Sequence, residues 1–232
     1  MKYSLIVPCF NESGNIIPLL NRAKKEFIKK KIELIIVDNG SIDDTRKILN
    51  DCLKEYPFLR IKTLNKNLGY GGGIIEGLKL SDGELVGWTH ADMQTDPLDF
   101  LKTIEIYKKN NYQNIFIKGK RLNRKLVDKF FTFWMSIFES ILMRKIMYDI
   151  NAQPTVFTRS FFESWDNPPK DFSLDLFAYY FAKKKNYKIV RFPVIFAKRL
   201  YGQSKWNIDI YSKLRFIIRT INYSFKLVFS LN

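Results

Sequence analysis

The sequence is poor in the residues from which redox centres, structural metal sites and histidine-based catalytic sites are built. It has two cysteines and one histidine among its 232 residues. Cys9 and Cys52 stand in no redox or zinc-binding spacing, which argues against a disulfide framework and against a zinc centre. We expect both thiols to be reduced, in a cytoplasmic protein.

Long apolar runs are also missing from the sequence. A membrane-spanning helix needs roughly 18 or more consecutive apolar residues, and no uncharged apolar stretch reaches that length. The first four residues lead directly into a short apolar strand. We therefore expect neither a spanning helix nor a signal peptide.

Acidic residues are scarce relative to basic ones. The chain has 23 Asp and Glu against 39 Lys and Arg, which gives a formal net charge of +16. This excess favours partners with many negative charges, such as nucleic acids, anionic lipid headgroups or phosphorylated substrates, without choosing among them. The 46% hydrophobic content suits one folded domain.

Short apolar strands and amphipathic helices alternate through the first half of the chain. Strands are predicted at residues 3–7, 33–37, 60–64, 85–89 and 115–118. Helices are predicted at residues 15–29, 45–56, 72–80 and 97–109. This alternation predicts an α/β fold with a mostly parallel sheet and helices on both faces. Ligands of such sheets bind beyond the carboxyl ends of the strands.

The second half is richer in long helical patterns. Residues 123–148 form an aromatic-rich helical region, and its apolar part, residues 130–143, is short for a membrane span. That part suits either a core helix or a helix in a bilayer interface. A further helix is predicted at residues 172–185 and a late strand at residues 188–197.

The last segment, residues 208–231, predicts an amphipathic helix with two stripes. The apolar stripe contains Ile210, Leu214, Ile217, Ile218, Ile221, Phe225 and Val228. The narrow polar stripe contains Arg215, Arg219, Asn222 and Lys226. Such a helix can lie on an anionic membrane surface, or it can pack on the domain with a solvated basic edge.

Polar residues follow the first two predicted strands. Pro8 cannot donate to a strand ladder and is expected to end the first strand. Glu12 can then accept a hydrogen bond from a base or a ribose, or it can belong to a helix cap. Asp38, at the tip of the second strand, is favoured as a hydrogen-bond acceptor for the base or sugar of a nucleotide.

A glycine-rich segment, residues 67–73, follows the third predicted strand. Glycines permit close backbone approach and positive φ angles. A dinucleotide-binding fingerprint would need a further glycine at position 74, which is Ile74, and would follow the first strand. A dehydrogenase is therefore not favoured.

The fourth predicted strand is followed by His90, Ala91, Asp92, Met93 and Gln94. The Asp92 carboxylate and the Gln94 amide oxygen stand two residues apart and are suitable ligands for one hard divalent cation. A cation held there can bind a diphosphate. The segment therefore indicates chemistry on a nucleotide-activated donor.

Taken in order, these motifs resemble a known family. The segments 7–12, 37–45, 67–73, 91–94 and 118–121, together with 192–199 and 202–205, are similar to family 2 glycosyltransferases of the GT-A fold. The resemblance is strongest to dolichyl-phosphate mannosyltransferases and bacterial polyprenyl-phosphate sugar transferases. It covers residues 3 to 206. It implies a GT-A domain at 1–206, with a nucleotide-binding half at 1–122, an acceptor-side half at 123–206 and a basic amphipathic helix at 207–232.

The resemblance also implies roles for individual residues. The nucleotide pocket would be lined by Pro8, Phe10, Glu12, Asp38 and Ala91. Asp92 and Gln94 would bind Mg²⁺ or Mn²⁺. Arg121, Arg199 and Lys205 would meet the donor diphosphate or an acceptor phosphate, in keeping with the affinity of clustered cations for phosphates.

Three segments depart from the family pattern. His90 replaces the first Asp of the usual Asp-Ala-Asp, and Asn39 replaces the second Asp after the second strand. Residues 149–154 stand where a Gly-Phe element is common. These departures leave sugar transfer plausible and leave the acceptor open.

The expected reaction is metal-dependent, inverting transfer of a sugar from a GDP- or UDP-sugar to a polyprenyl or dolichyl phosphate, with Asp92 and Arg121 in the catalytic site. A phosphate acceptor is already anionic, whereas a sugar hydroxyl needs a general base. Asp175 is the first choice for that base and Asp171 the second. The expected location is cytoplasmic, peripheral on the cytoplasmic face of a membrane.

Other functions remain open from the sequence. A transferase acting on a soluble or surface glycan and a non-catalytic homologue are both compatible with the motifs. A nucleic-acid-binding module is not favoured, because carboxylates at successive strand ends would repel phosphate without a metal. No nucleic-acid partner is therefore expected.

Overall fold

The computed structural model describes residues 2–111, 114–123, 126–199, 201 and 210–231, without the side chains of residues 127–128, 210–216 and 230–231. The strands are β1 (Tyr3–Cys9), β2 (Ile32–Asp38), β3 (Leu59–Thr63), β4 (Leu85–Trp88), β5 (Ile115–Leu122), β6 (Thr155–Thr158) and β7 (Lys188–Ile195). The helices are α1 (Ser13–Lys30), α2 (Thr45–Cys52), α3 (Tyr70–Leu80), α4 (Asp99–Lys109), α5 (Leu126–Met143), α6 (Arg159–Glu163), α7 (Leu174–Lys184) and α8 (Ile210–Leu231).

One sheet carries all of these strands in the order β3-β2-β1-β4-β6-β5-β7. Its strand pairs are parallel except those of β6, which runs antiparallel to β4 and β5. A Cβ added at Gly87 would lie 2.4 Å from the Thr155 carbonyl oxygen, so glycine is what lets β6 lie beside β4. Strand β6 was not predicted from the sequence.

Hydrophobic cores cover both faces of the sheet. Leu5 and Val7 point to a core shared with α1, and Ile6 points to the opposite core, shared with α3. Successive side chains of a strand alternate between faces, so an unbroken apolar strand needs cover on both. The predicted α/β architecture is confirmed.

Pro8 marks a place where the two ladders of β1 differ. The β1–β4 ladder ends where the Thr89 amide donates to the Ile6 carbonyl, because Pro8 has no N–H for the next bond. On the other side, β1 continues in register with β2 as far as the pair Cys9 and Asp38. The prediction that Pro8 ends the strand is therefore correct for the ladder with β4 and wrong for the ladder with β2.

Helices α5 and α8 pack against each other. The rings of Phe138 and Phe225 lie 6.2 Å apart, and the Ser224 hydroxyl donates to Glu139 Oε1 at 2.6 Å. Among the side chains of α8 that the structure describes, Ser224 and Leu227 are buried, whereas Ile218 and Phe225 of the predicted apolar stripe are 57% and 43% exposed. No helix in the described ranges is long and apolar enough to cross a membrane.

The α5–α8 contact contains a buried carboxyl group. Glu139 is fully buried, and its Oε2 has no hydrogen-bond partner among the described residues. Burial raises the pKa of Glu139 to about 7, while the Ser224 hydrogen bond partly opposes that rise. The packed helices therefore favour the protonated carboxyl.

We expect Glu139→Gln to stabilise the protein at pH 8 and to have little effect near pH 5. The folded-state pKa lies above the unfolded one, so the cost of ionising Glu139 grows between about pH 4.5 and pH 7 and is constant above that. The cost of ionising Glu139 in the folded protein is about 3 kcal/mol at most, which corresponds to several degrees in Tm. Thermal unfolding across this pH range measures it.

The control is Glu105→Gln, which changes an exposed carboxyl on α4. A stabilisation by Glu139→Gln that is equal at pH 5 and pH 8 would contradict the buried, ionisable contact.

Candidate active site

The carboxyl ends of β1, β2 and β4 meet at one edge of the sheet. They do so because the three strands are neighbours and parallel, with Cys9 beside Asp38 and Ile6 beside Trp88. Asp38 is the last residue of β2, and the loops after β1 and β4 carry Glu12 and Asp92. Three acidic side chains from separate parts of the sequence are thus brought to the same edge.

Arg199 lies between two of these carboxylates, Asp92 and Glu12. We call these three side chains the Arg199 centre. Its Nη2 is 2.7 Å from Asp92 Oδ2, and its Nη1 is 3.6 Å from Glu12 Oε1. The side chains of Asp92 and Glu12 are only 8% and 17% exposed. A guanidinium is well suited to such a position, because it offers several donors in a fixed plane.

The segment after β7 is fastened to the loop after β4. The Ala197 amide donates to the Gln94 carbonyl at 2.8 Å, and Gln94 Nε2 donates to the Ala197 carbonyl at 3.1 Å. The Gln94 amide N–H also donates to Asp92 Oδ1 at 3.1 Å. These bonds bring Arg199, two residues beyond Ala197, to Asp92.

The residues at this edge fit a divalent cation that also binds a substrate. In the described part of the chain, no three His, Cys, Asp or Glu side chains are grouped to hold a metal. Mg²⁺, however, is commonly bound by one or two protein carboxylates together with substrate phosphates and water. The Asp92 carboxylate and the Gln94 amide oxygen supply that kind of incomplete donor set.

Asp38 is fully buried and both of its oxygens have partners. Oδ1 accepts from the Ser41 amide at 2.8 Å, and Oδ2 accepts from Arg46 Nε at 2.9 Å. The carboxylate is therefore fixed in orientation at the end of β2. The sequence indicated Asp38 but not its partner Arg46.

The hydrogen bonds of Asn39 explain why an asparagine stands where the family pattern has an aspartate. Its Oδ1 accepts from the Leu68 amide at 2.9 Å, and its Nδ2 donates to the Gly69 carbonyl at 2.8 Å. An ionised aspartate has no donor for the second bond. Asn39 therefore joins the end of β2 to the glycine-rich segment, a role that the sequence analysis missed.

The glycines of that segment accommodate another part of the chain. A Cβ at Gly69 would lie 2.4 Å from the Lys170 carbonyl oxygen, and one at Gly71 would lie 2.6 Å from that of Pro169. The Gly72 amide donates to the Lys170 carbonyl at 2.8 Å. The close approach inferred from the sequence is thus an approach of backbone to backbone.

The side chain of Arg121 is paired with Asp149. Its Nε donates to Asp149 Oδ1 at 2.9 Å, its amide donates to Oδ2 at 3.1 Å, and Nη2 makes a further short contact with Oδ1. Its guanidinium also lies 5.5 Å from the Phe196 ring centroid. Arg121 thus holds the start of the unusual segment 149–154. Lys205 lies outside the described residues.

Asp175 belongs to a buried polar network. It is 2% exposed, and its Oδ1 accepts from Gln153 Nε2 at 2.8 Å and from Lys118 Nζ at 3.3 Å. Burial lowers the pKa of Lys118 to about 8, and the Asp175 charge opposes that fall. Lys118 also donates to the Thr155 hydroxyl at 2.6 Å.

One feature of the sequence indicates this buried network and was not recognised. Lys118 directly follows the apolar residues Ile115, Phe116 and Ile117, which are buried in β5. A charge in such a strand is buried only when it is paired. The partners of Lys118, Thr155 and Asp175, lie too far along the chain for periodicity to reveal them.

The Glycosyl transferase family 2 model matches residues 4–159 of the 232. The chain belongs to glycosyl transferase family 2. This confirms the resemblance drawn from the motifs.

Two curated relatives support the assignment to family 2. A dolichyl-phosphate beta-glucosyltransferase from Dictyostelium discoideum is 31% identical over 150 residues, which cover 60% of this chain and 45% of the relative. An undecaprenyl-phosphate 4-deoxy-4-formamido-L-arabinose transferase from Klebsiella pneumoniae is 25% identical over 242 residues, covering 98% and 66%. The chain thus spans less than two thirds of either relative.

A solved structure supports the fold of this family 2 member. A mannosyltransferase from Pyrobaculum calidifontis, solved with GDP-Man and Mn²⁺, matches with a TM-score of 0.70 at 16% identity. The match covers 97% of this chain and 64% of the other. The predicted GT-A fold is confirmed.

Proposed function

We propose that this family 2 member transfers a sugar from a nucleoside diphosphate sugar to a polyprenyl phosphate, with inversion at the anomeric carbon. The observation that carries the proposal is Arg199 between Asp92 and Glu12 at the carboxyl edge of the sheet. The names of the two relatives, a dolichyl-phosphate and an undecaprenyl-phosphate sugar transferase, support the acceptor class.

The donor is a GDP- or UDP-sugar whose diphosphate lies at the Arg199 centre. Arg199 balances the charge of Asp92 and would also contact the diphosphate oxygens. Mg²⁺ or Mn²⁺ held by Asp92 and Gln94 would supply Lewis-acid stabilisation of the leaving diphosphate. A solved structure of the same fold contains GDP-Man and Mn²⁺, which supports this assignment.

Asp38 and Glu12 orient the nucleotide in this proposal, with Pro8, Phe10 and Ala91 lining its pocket. The acceptor oxygen forms a bond to the anomeric carbon as the bond from that carbon to the diphosphate oxygen breaks. The nucleoside diphosphate leaves with the electron pair. Positive groups at the leaving oxygen lower the barrier because negative charge develops there.

A phosphate acceptor suits the surroundings of the acidic residues on the acceptor side. A polyprenyl phosphate is anionic at neutral pH and needs no general base, whereas a hydroxyl acceptor needs a carboxylate within reach. Asp175 is buried among Lys118 and Gln153, and Asp171 lies 3.6 Å from Arg219. These contacts favour the phosphate acceptor.

The α5–α8 pair supports a site at a membrane surface. Large apolar side chains are at least 43% exposed at Phe130, Phe131, Phe133, Trp134, Ile141, Ile218, Phe225 and Phe229. Arg219 and Lys226 are exposed beside them. Aromatic side chains next to cations suit the headgroup region of an anionic bilayer.

We place residues 1–122 at the donor, 123–206 at the acceptor, and 207–232 on the cytoplasmic face of the membrane.

The reaction is tested by measuring released nucleoside diphosphate with GDP- and UDP-sugars, with and without polyprenyl phosphate, in Mg²⁺ or Mn²⁺. Release that depends on polyprenyl phosphate and yields a glycolipid of inverted anomeric configuration is expected. Asp92→Asn should lower kcat/KM by about 100- to 1000-fold, because the leaving diphosphate loses its stabilisation.

The matched control is Asp96→Asn. Asp96 lies in the same loop, but its side chain is 38% exposed and pairs with Arg22 at the surface. Wild-type turnover by Asp92→Asn would disprove the site, and release that depends only on a soluble glycan would disprove the acceptor.

Membrane docking is tested by co-sedimentation with anionic liposomes. The double substitution Phe130→Ser and Trp134→Ser should weaken binding by about tenfold or more, because two exposed aromatic side chains lose their apolar contact with the bilayer. Ile28→Ser removes an exposed apolar side chain from α1 and should leave binding unchanged. Equal binding by the double variant and the wild type would contradict docking through α5.

A further inference from the structure

The loop before α7, residues 169–173, is packed on the glycine-rich segment at the edge of the donor site. Gly69 and Gly71 leave no room for a side chain between the two backbones. The Gly72 amide is bonded to the Lys170 carbonyl. A displacement of this loop must therefore displace the start of α3 as well.

An aromatic stack continues from the loop to the catalytic edge. The Tyr70 and Phe172 rings lie 4.7 Å apart at 11°, and the Tyr70 and His90 rings lie 5.4 Å apart at 27°. His90 precedes Asp92 by two residues. The histidine that replaces the usual aspartate is thus joined to the loop before α7 through Tyr70.

Tyr70 is fixed at its other end by the buried network. Its hydroxyl accepts from Gln153 Nε2 at 3.2 Å, and the same nitrogen donates to Asp175. Burial, followed by the nearby Asp175 charge, raises the pKa of Tyr70 well above its ordinary value. Tyr70 therefore stays protonated and cannot swing away without breaking these contacts.

The membrane-facing helix α8 contacts this assembly through Arg219. Its Nε lies 3.6 Å from Asp171 Oδ2, and its guanidinium lies 5.9 Å from the Phe172 ring centroid. Asp171 Oδ1 accepts from the Ser173 amide at 2.9 Å, next to the start of α7. Arg219 of α8 thus contacts both the carboxylate of Asp171 and the ring of Phe172 in the loop.

We propose that Arg219 is a positioning residue, through which docking of α8 on an anionic bilayer sets the position of loop 169–173 and of the Phe172, Tyr70 and His90 stack. The proposal rests on the proposed function, since the bilayer holds the acceptor. Arg219 is half exposed, and an exposed ion pair or cation–π contact is individually weak. Docking can therefore change the contact without unfolding the loop.

The first test compares Arg219→Ala with Lys226→Ala in anionic vesicles that contain polyprenyl phosphate. Each variant removes one exposed charge from α8, so both share any loss of vesicle binding. With all enzyme vesicle-bound, Arg219→Ala should lower kcat by about fivefold to tenfold and leave the KM for the donor within about twofold. Lys226→Ala should keep nearly the wild-type kcat, and Arg219→Lys should recover part of the loss.

Asp171→Asn separates positioning from acid–base catalysis. The amide keeps an acceptor for the Ser173 N–H and loses the charge that faces Arg219. Its kcat should fall as in Arg219→Ala, and the double variant should be no slower than either single one. A much larger loss in Asp171→Asn would make Asp171 a general base and would contradict the inference.

Hydrogen exchange provides a readout that does not depend on the acceptor. Anionic vesicles without polyprenyl phosphate should slow exchange at the amides of residues 170–174 in the wild type and in Lys226→Ala, but not in Arg219→Ala. This result holds whichever acceptor the enzyme uses, so failure of the proposed function is distinguishable from failure of the inference. Equal exchange and equal kcat in Arg219→Ala and Lys226→Ala would overturn it.

Discussion

The ion pair of Arg199 with Asp92, extended to Glu12, is the interaction on which the site depends. Parallel strands bring acidic residues to one edge, where they repel each other unless a cation lies between them. The chain supplies that cation from the segment after β7, held in place by the two bonds between Ala197 and Gln94. The arrangement places a cation beside the Asp92 carboxylate and the Gln94 side chain at the carboxyl edge of the sheet.

A second constraint joins the carboxyl edge of the sheet to the loop before α7. Asn39 fastens the glycine-rich segment to β2, and loop 169–173 lies directly on that segment. Tyr70 then connects the buried network around Asp175 to His90 by hydrogen bonding and stacking. The departures at Asn39 and His90 therefore belong to one continuous structure that reaches α8.

The strand ends and their acids could be predicted, because alternating patterns specify a parallel sheet and such sheets bind ligands at one edge. Arg199 was found through its motif. Strand β6 was missed because it has four residues and no periodicity of its own. The residues Ser224 and Leu227, through which α8 packs, lie off its apolar stripe and were not indicated by the sequence. The partners of Asp38, Arg121 and Asp175 depend on tertiary contacts that local patterns do not encode.

The most direct test of the Arg199 centre is a double-mutant cycle on kcat/KM for the nucleoside diphosphate sugar, with Arg199→Ala, Asp92→Asn and both together. If the two side chains act as one unit at the diphosphate, each single substitution should lower kcat/KM strongly and the double variant should be little worse than the poorer single one. Losses that multiply would contradict the account, because they would show that the two residues act independently.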